Sequence, residues 1–305
     1  MITRRRLIAI AAAMATLPAA ARADARMPAR LWTGQAMGAR ASIRIAHPEA
    51  EVIAGRVLAE IDRLENILSL YRADSALVRL NRAGHLEAPP FELLECLSLA
   101  DAAHRASAGR FDATVQPLWA LWAESAAAGR QPTTAEIDRA RARTGWDRVR
   151  LDATRIEMVP GTALTLNGIG QGYVADRVAA LLAAEGLGDI LIDTGEFRAL
   201  GGQPDGRAWQ VTLSAGGSVG LKGRALATSA PLGTTFDPAG QDGHILDPRT
   251  GRPAARHWRE ISVSAPTAAE ADALSTAACL TDGPQALRQL MAAFAGATLE
   301  AATAA

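Results

Sequence analysis

The sequence predicts an α+β fold, a single catalytic domain of mixed, largely antiparallel sheets with flanking helices. Strand-like and helical segments are interspersed along the chain. Several strands are joined by short Gly-rich turns, which suit antiparallel neighbours; a parallel pair needs a long crossover. Neither an internal repeat nor a linker divides the 305 residues, a length that allows one large domain or two ordinary ones.

Taken in order, residues 1–23 read as an export signal. Arg4, Arg5 and Arg6 form a positive start, residues 7–17 a short apolar stretch, and Ala21-Arg22-Ala23 a cleavage site before Asp24. The stretch is shorter than the roughly 20 apolar residues that span a bilayer. Consecutive arginines suit a twin-arginine signal, and an ordinary Sec signal reads the same way. The expectation is a periplasmic domain over residues 24–305 with no membrane helix.

Residues 41–46 alternate as a half-buried strand. Over 50–71, Ile53, Val57, Ile61, Leu64 and Leu68 recur at steps of three and four, which makes an amphipathic helix with one core face. A second helix covers 92–108 and stops at Gly109. A short surface helix covers 132–143, with Thr134 as its N-cap. Residues 149–165 carry two strand-like runs around Pro160-Gly161, and 173–185 form a helix closed by Gly186. Further strands are expected at 189–193, 209–213, 225–228 and 261–265, with Trp209, Val211 and Leu213 facing inward. A last helix over 268–280 buries Ala271, Leu274 and Ala278.

Composition excludes several functions. Basic and acidic side chains number 32 each, but beyond residue 23 there are 28 basic against 32 acidic. A mildly acidic domain is a poor general nucleic-acid binder. Lys222 is the sole lysine, which excludes a Walker-type phosphate loop. Cys96 and Cys279 lie in apolar surroundings outside any C-x-x-C pair, so they read as buried thiols rather than zinc ligands.

Four segments carry chemistry. Gly168, Gly170 and Gly172 precede a helix, as in an anion site built from free amides, and equally as in a plain turn. Asp272 and Thr276 are one helical turn apart, so they offer a carboxylate and a hydroxyl on one face. Those are hard ligands suited to Mg²⁺, or else a helix-dipole carboxylate and a back-bonded threonine. His244 precedes the turn signals Asp247-Pro248 and Thr250-Gly251, placed to act as acid, base or phosphate donor, or as a surface histidine. Residues 109–119, with Trp119 and Trp122, either cradle a flat ring or pack a core.

The order of these segments is more specific than any one of them. Met37-Gly38, Ser69 to Ser75 with Leu80-Asn81, Gly109 to Trp122, Asn167 to Asp176, His244 to Gly251 and Ala271 to Thr276 follow in succession. The series resembles the ApbE family of FAD:protein FMN transferases over residues 31–283. The resemblance implies a domain related to the tunnelling fold that binds FAD and Mg²⁺. It implies transfer of FMN to a threonine or serine of an acceptor flavoprotein, with AMP leaving. By position, the Gly170 carbonyl, Asp272 and Thr276 hold Mg²⁺, while Met37, Tyr71, Phe111, Asp112, Gln171, Tyr173, His244 and Ile245 meet FAD. His244 is the expected general base, with Asp247 and the metal-committed Asp272 as rivals. Departures fall at Gln171, at Gly195-Glu196 in place of Gly-Gly, and at Thr228-Ser229-Ala230. They are expected to bear on flavin contacts or acceptor choice more than on the metal pair. The acceptor is expected to be a membrane-bound or exported redox protein, with nitrous-oxide respiration the favoured setting. The alternatives are Mg²⁺-dependent hydrolysis of FAD to FMN and AMP, and a non-catalytic flavin carrier.

Overall fold

The computed structural model describes residues 30–45 and 47–305, so the export signal read at 1–23 lies outside the described residues. Along the chain run β1 (Arg30–Ala36), β2 (Ala39–Ile45), α1 (Ala50–Leu68), α2 (Ala76–Ala83), β3 (His85–Glu87), α3 (Phe91–Ala106), α4 (Gln116–Ala127) and α5 (Thr134–Arg141). Then come β4 (Val149–Leu151), β5 (Arg155–Met158), α6 (Gly170–Ala184), β6 (Ile190–Asp193), β7 (Phe197–Leu200), β8 (Trp209–Thr212), β9 (Ser218–Leu221) and β10 (Ala225–Ser229). The chain closes with β11 (Leu246–Asp247), β12 (Arg252–Pro253), β13 (Trp258–Ala265), α7 (Ala268–Ala278), α8 (Pro284–Ala292) and β14 (Thr298–Ala304).

The central sheet has seven strands in the order β1-β2-β6-β7-β10-β13-β14, and every pairing in it is antiparallel. The α+β expectation therefore holds. Strand alternation splits the apolar residues between two faces. Ile190, Ile192, Ala225, Ala227 and Val263 join the main core with α1, α3, α6 and α7. Leu191, Ala199 and Leu226 point the other way, onto the β8–β9 hairpin, where Trp209, Val211 and Leu213 are buried as predicted. A third cluster forms where Leu118 and Trp122 of α4 meet Ile137 of α5 and Leu246.

Several boundaries differ from the sequence reading for local reasons. Helix α5 is capped by Thr133, not Thr134: its hydroxyl accepts from the Glu136 amide, and the Glu136 carboxylate returns to the Thr133 amide as a capping box. Both strand runs of 149–165 precede Pro160-Gly161. Their turn is at Asp152, whose carboxylate accepts from the Thr154 amide and hydroxyl. Helix α1 stops at Leu68 because Ser69 turns extended. Helix α7 buries Ala271, Leu274 and Ala278, but also Ala268, Ala269, Asp272, Ala273, Ser275 and Ala277. Its small side chains let α3, α6, β10 and β13 all close on it. Cys96 and Cys279 are free and buried, and desolvation raises both thiols, Cys279 to about 12.

Candidate active site

Five separate stretches converge on a cavity of about 340 Å³: residues 110–119, 165–171, Glu196 at the β6–β7 tip, 228–234 at the end of β10 and beyond it, and 244–248, with α7 closing it. Phe111, Asp112, Gln171, His244, Ile245, Asp272 and Thr276 all line it, so seven of the residues expected at the site are brought together.

The three glycines before α6 act through close packing. None has a positive φ. A Cβ on Gly172 would lie 2.2 Å from the Ala268 carbonyl oxygen, one on Gly170 3.0 Å from Met37 Cε, and one on Gly168 3.1 Å from Thr276 Oγ1. Glycine thus lets α6 touch the backbone of α7, the β1–β2 tip and the threonine of the candidate metal pair. Four amides of this stretch are already engaged within the protein, which leaves those of Gly168 and Gln171 to face the cavity. The Asn167 amide donates to Thr165 Oγ1, those of Ile169 and Gly170 to the Leu166 carbonyl, and that of Gly172 to Asp272 Oδ2 at 3.3 Å. Asp176 fastens the two helices by accepting from the Ala268 and Ala269 amides, each at 2.9 Å.

Burial sets the electrostatics. Asp272 is 3% exposed, and desolvation pushes its carboxyl up to about 7. Glu196, 7% exposed, is raised well above the carboxylate range, first by desolvation and then by repulsion from Asp272. Glu196 thus lies in the same cavity as Asp272, close enough for the two carboxylates to repel each other. The only signal in the sequence was that an acid stood where the family has glycine; its burial beside Asp272 depends on the sheet. Asp112 is raised by desolvation, partly offset by the Thr114 amide and hydroxyl. Burial lowers His244, while the carbonyls of Thr234 and Pro231 pull the other way. Its Nδ1 lies 3.0 Å from the Thr234 carbonyl. A carbonyl only accepts, so Nδ1 carries the proton and Nε2 keeps its lone pair.

Other expected residues stand elsewhere. Met37 and Tyr71 lie beside the site without lining the cavity. Met37 has φ +50°, and its amide is held by Glu65 Oε1. Tyr71 is exposed, with its ring against Gly38. Gly170 is buried in the first turn of α6, behind the cavity wall. Tyr173 is corrected outright: it is buried away from the cavity and donates its hydroxyl to Glu95 Oε2 at 2.6 Å, a structural bond. Its position next to the glycines misled because residue 173 falls on the core side of α6. Asp247 is bound by the Arg249 guanidinium, which removes it as a rival base. Trp119 lines the cavity and meets Phe236 edge-on at 5.4 Å, whereas Trp122 packs the core and donates Nε1–H to the Gly251 carbonyl.

The donor set fits a small hard cation. Asp272 and Thr276 present oxygens to the cavity, and neither Asp272 nor Glu196 forms an ion pair among the described residues. Aromatic and polar walls side by side suit a molecule with a flat ring and charged phosphates.

Comparison with known proteins gives concordant results. The ApbE family profile matches residues 37–299. The FAD:protein FMN transferase of Salmonella typhimurium is 29% identical over 282 residues, covering 85% of this chain and 78% of that protein. One from Klebsiella pneumoniae is 30% identical over 247 residues, covering 74% of each. Among solved structures, the apo flavinyl transferase ApbE of Pseudomonas stutzeri superposes with a TM-score of 0.79 at 29% identity, covering 90% of this chain and 94% of that one. The apbe protein of Thermotoga maritima gives a TM-score of 0.80 at 27% identity, over 89% and 93%.

Proposed function

Since the chain belongs to the ApbE family, we propose that it is an FAD:protein FMN transferase that moves FMN from FAD to a threonine or serine hydroxyl of an acceptor flavoprotein, with Mg²⁺ bound and AMP leaving. The observation that carries this reading is the convergence of His244, Asp272 and Thr276 on one cavity.

The acceptor oxygen forms a bond to the FMN-side phosphorus as the bridge to AMP breaks, and the hydroxyl proton goes to His244 Nε2. Charge spreads over the phosphate oxygens, so positioning and electrostatics do most of the work. The Thr234 carbonyl fixes the tautomer that leaves Nε2 free, and partial burial keeps the ring neutral and competent as a base near pH 7. Asp272 and Thr276 would hold the metal, with the Gly172 amide orienting Asp272 through Oδ2. A bound Mg²⁺ supplies Lewis-acid stabilisation of the diphosphate oxygens. Phe111, Ile245 and Trp119 provide flat apolar walls for the ring systems. Export to the periplasm, supported by the pattern of residues 1–23, places the acceptor among exported or membrane-bound redox proteins, those of nitrous-oxide respiration included.

The test mixes the protein with FAD, Mg²⁺ and a candidate acceptor domain, followed by a denaturing gel. Flavin fluorescence that stays with the acceptor is the expected result. Free FMN and AMP without labelled acceptor would replace this reading by hydrolysis, and intact FAD with acceptors of every class would leave a carrier.

A further inference from the structure

Asp272 and Glu196 are the two most deeply buried carboxylates at the cavity, at 3% and 7% exposure. Each has one oxygen engaged by a backbone amide: Asp272 Oδ2 by Gly172, and Glu196 Oε2 by Thr228, both at 3.3 Å. The second oxygen of each, Oδ1 and Oε1, has no hydrogen-bond partner among the described residues. No arginine, lysine or histidine forms an ion pair with either carboxylate among those residues. Two buried carboxylates without a counter-charge are costly to ionise, and a shared cation would offset that cost.

The backbone that delivers Glu196 is built for its place. Gly195 has φ +103°, a conformation that L side chains rarely adopt, and its amide is held by Asp193 Oδ1. Thr194 donates its hydroxyl to the Gln171 carbonyl, tying the β6–β7 tip to the first turn of α6. The tip therefore presents Glu196 to the cavity from the sheet while α7 presents Asp272 and Thr276.

We propose that Glu196 is a second protein carboxylate of the divalent-cation site, sharing the metal with Asp272 and Thr276. This rests on the Mg²⁺-dependent reading above. Mg²⁺ in phosphate-transfer sites is typically held by one or two carboxylates together with substrate phosphates, and two carboxylates make the empty protein a competent metal binder before FAD arrives.

The experiment titrates the FAD-free protein with Mn²⁺, as a stand-in for Mg²⁺, and follows free ion by electron paramagnetic resonance. Glu196→Gln preserves shape and the Thr228 hydrogen bond but removes the charge, and is expected to weaken Mn²⁺ binding at least tenfold. Glu196→Asp, which keeps the charge, is expected to recover part of that loss, and it decides the matter by the same titration if the Gln variant does not fold. Equal affinity of the wild type and both variants overturns the Glu196 assignment while leaving the Asp272 site standing. Failure of the wild type to bind Mn²⁺ or Mg²⁺, with or without FAD, overturns the metal reading itself.

Discussion

Gly172→Ala tests whether the contact between α6 and α7 positions the chemistry. The added Cβ would meet the Ala268 oxygen at 2.2 Å, its carbonyl carbon at 2.4 Å and the Ala269 nitrogen at 2.7 Å. All three are backbone atoms, so no rotamer change relieves the clash, and the helices must separate by roughly 1 Å to reach ordinary contact. Overpacking of this kind costs about 1–3 kcal/mol, offset by up to about 1 kcal/mol of helix propensity. Separation also stretches the Asp176 bonds to the Ala268 and Ala269 amides and the Gly172 bond to Asp272. The net cost is then about 0–3 kcal/mol, and at about 2 °C per kcal/mol for a domain of this size the melting temperature is expected to fall by up to roughly 6 °C. A displacement of about 1 Å at Asp272 is expected to lower the transfer rate by about 100-fold. Gly55→Ala is the control: Gly55 is exposed inside α1 with nothing within 4 Å of its Cβ, so this change is expected to stabilise by up to about 1 kcal/mol. Calorimetry and the flavin-gel assay on both variants decide the question. A Gly172→Ala protein with wild-type melting and wild-type rate would refute the reasoning.

His244→Ala is expected to abolish transfer while FAD still binds, read by gel fluorescence and fluorescence quenching. In the wild type, protonation removes the base, so the rate is expected to fall with decreasing pH through a value below the ordinary 6.5, and a midpoint above 6.5 contradicts the assigned environment. Asp272 keeps its proton more tightly when folded than when unfolded, so in EDTA its contribution to stability is full below the unfolded value of 3.8 and is lost as pH rises through about 7. Melting curves should show the wild type losing ground to Asp272→Asn across that window, and parallel curves would remove the buried-carboxylate argument; the same variant should lose Mg²⁺-supported turnover. Tyr173→Phe deletes a buried hydroxyl that donates to a carboxylate, and is expected to cost about 1–3 kcal/mol of stability in denaturant melts with the KM for FAD unchanged. A raised KM at unaltered stability would return Tyr173 to the flavin site.

Much of the architecture was legible because its signals are local. The steps of three and four from Ile53 to Leu68 define the core face of α1, and the alternation at Trp209, Val211 and Leu213 defines the buried face of β8. Helix α4 was missed because Trp119 and Trp122 read equally as a ring cradle, and the structure divides them between cavity and core. The one-turn spacing of Asp272 and Thr276 was legible for the same local reason: one helical turn puts both on one face wherever the helix lies.

By itself the sequence determined the order of the candidate segments along the chain and the periodicity of the elements that carry them, since these depend on neighbours within a turn or a strand. Only the tertiary structure decided which of them meet. The Gly172 amide and the Asp272 carboxylate are 100 residues apart, and Glu196 reaches the same cavity from a different layer. Closing such long loops costs entropy that only packing of the whole core offsets, so no short stretch of the chain encodes the encounter. Burial, which raises Asp272 and Glu196 and lowers His244, arises from that same packing.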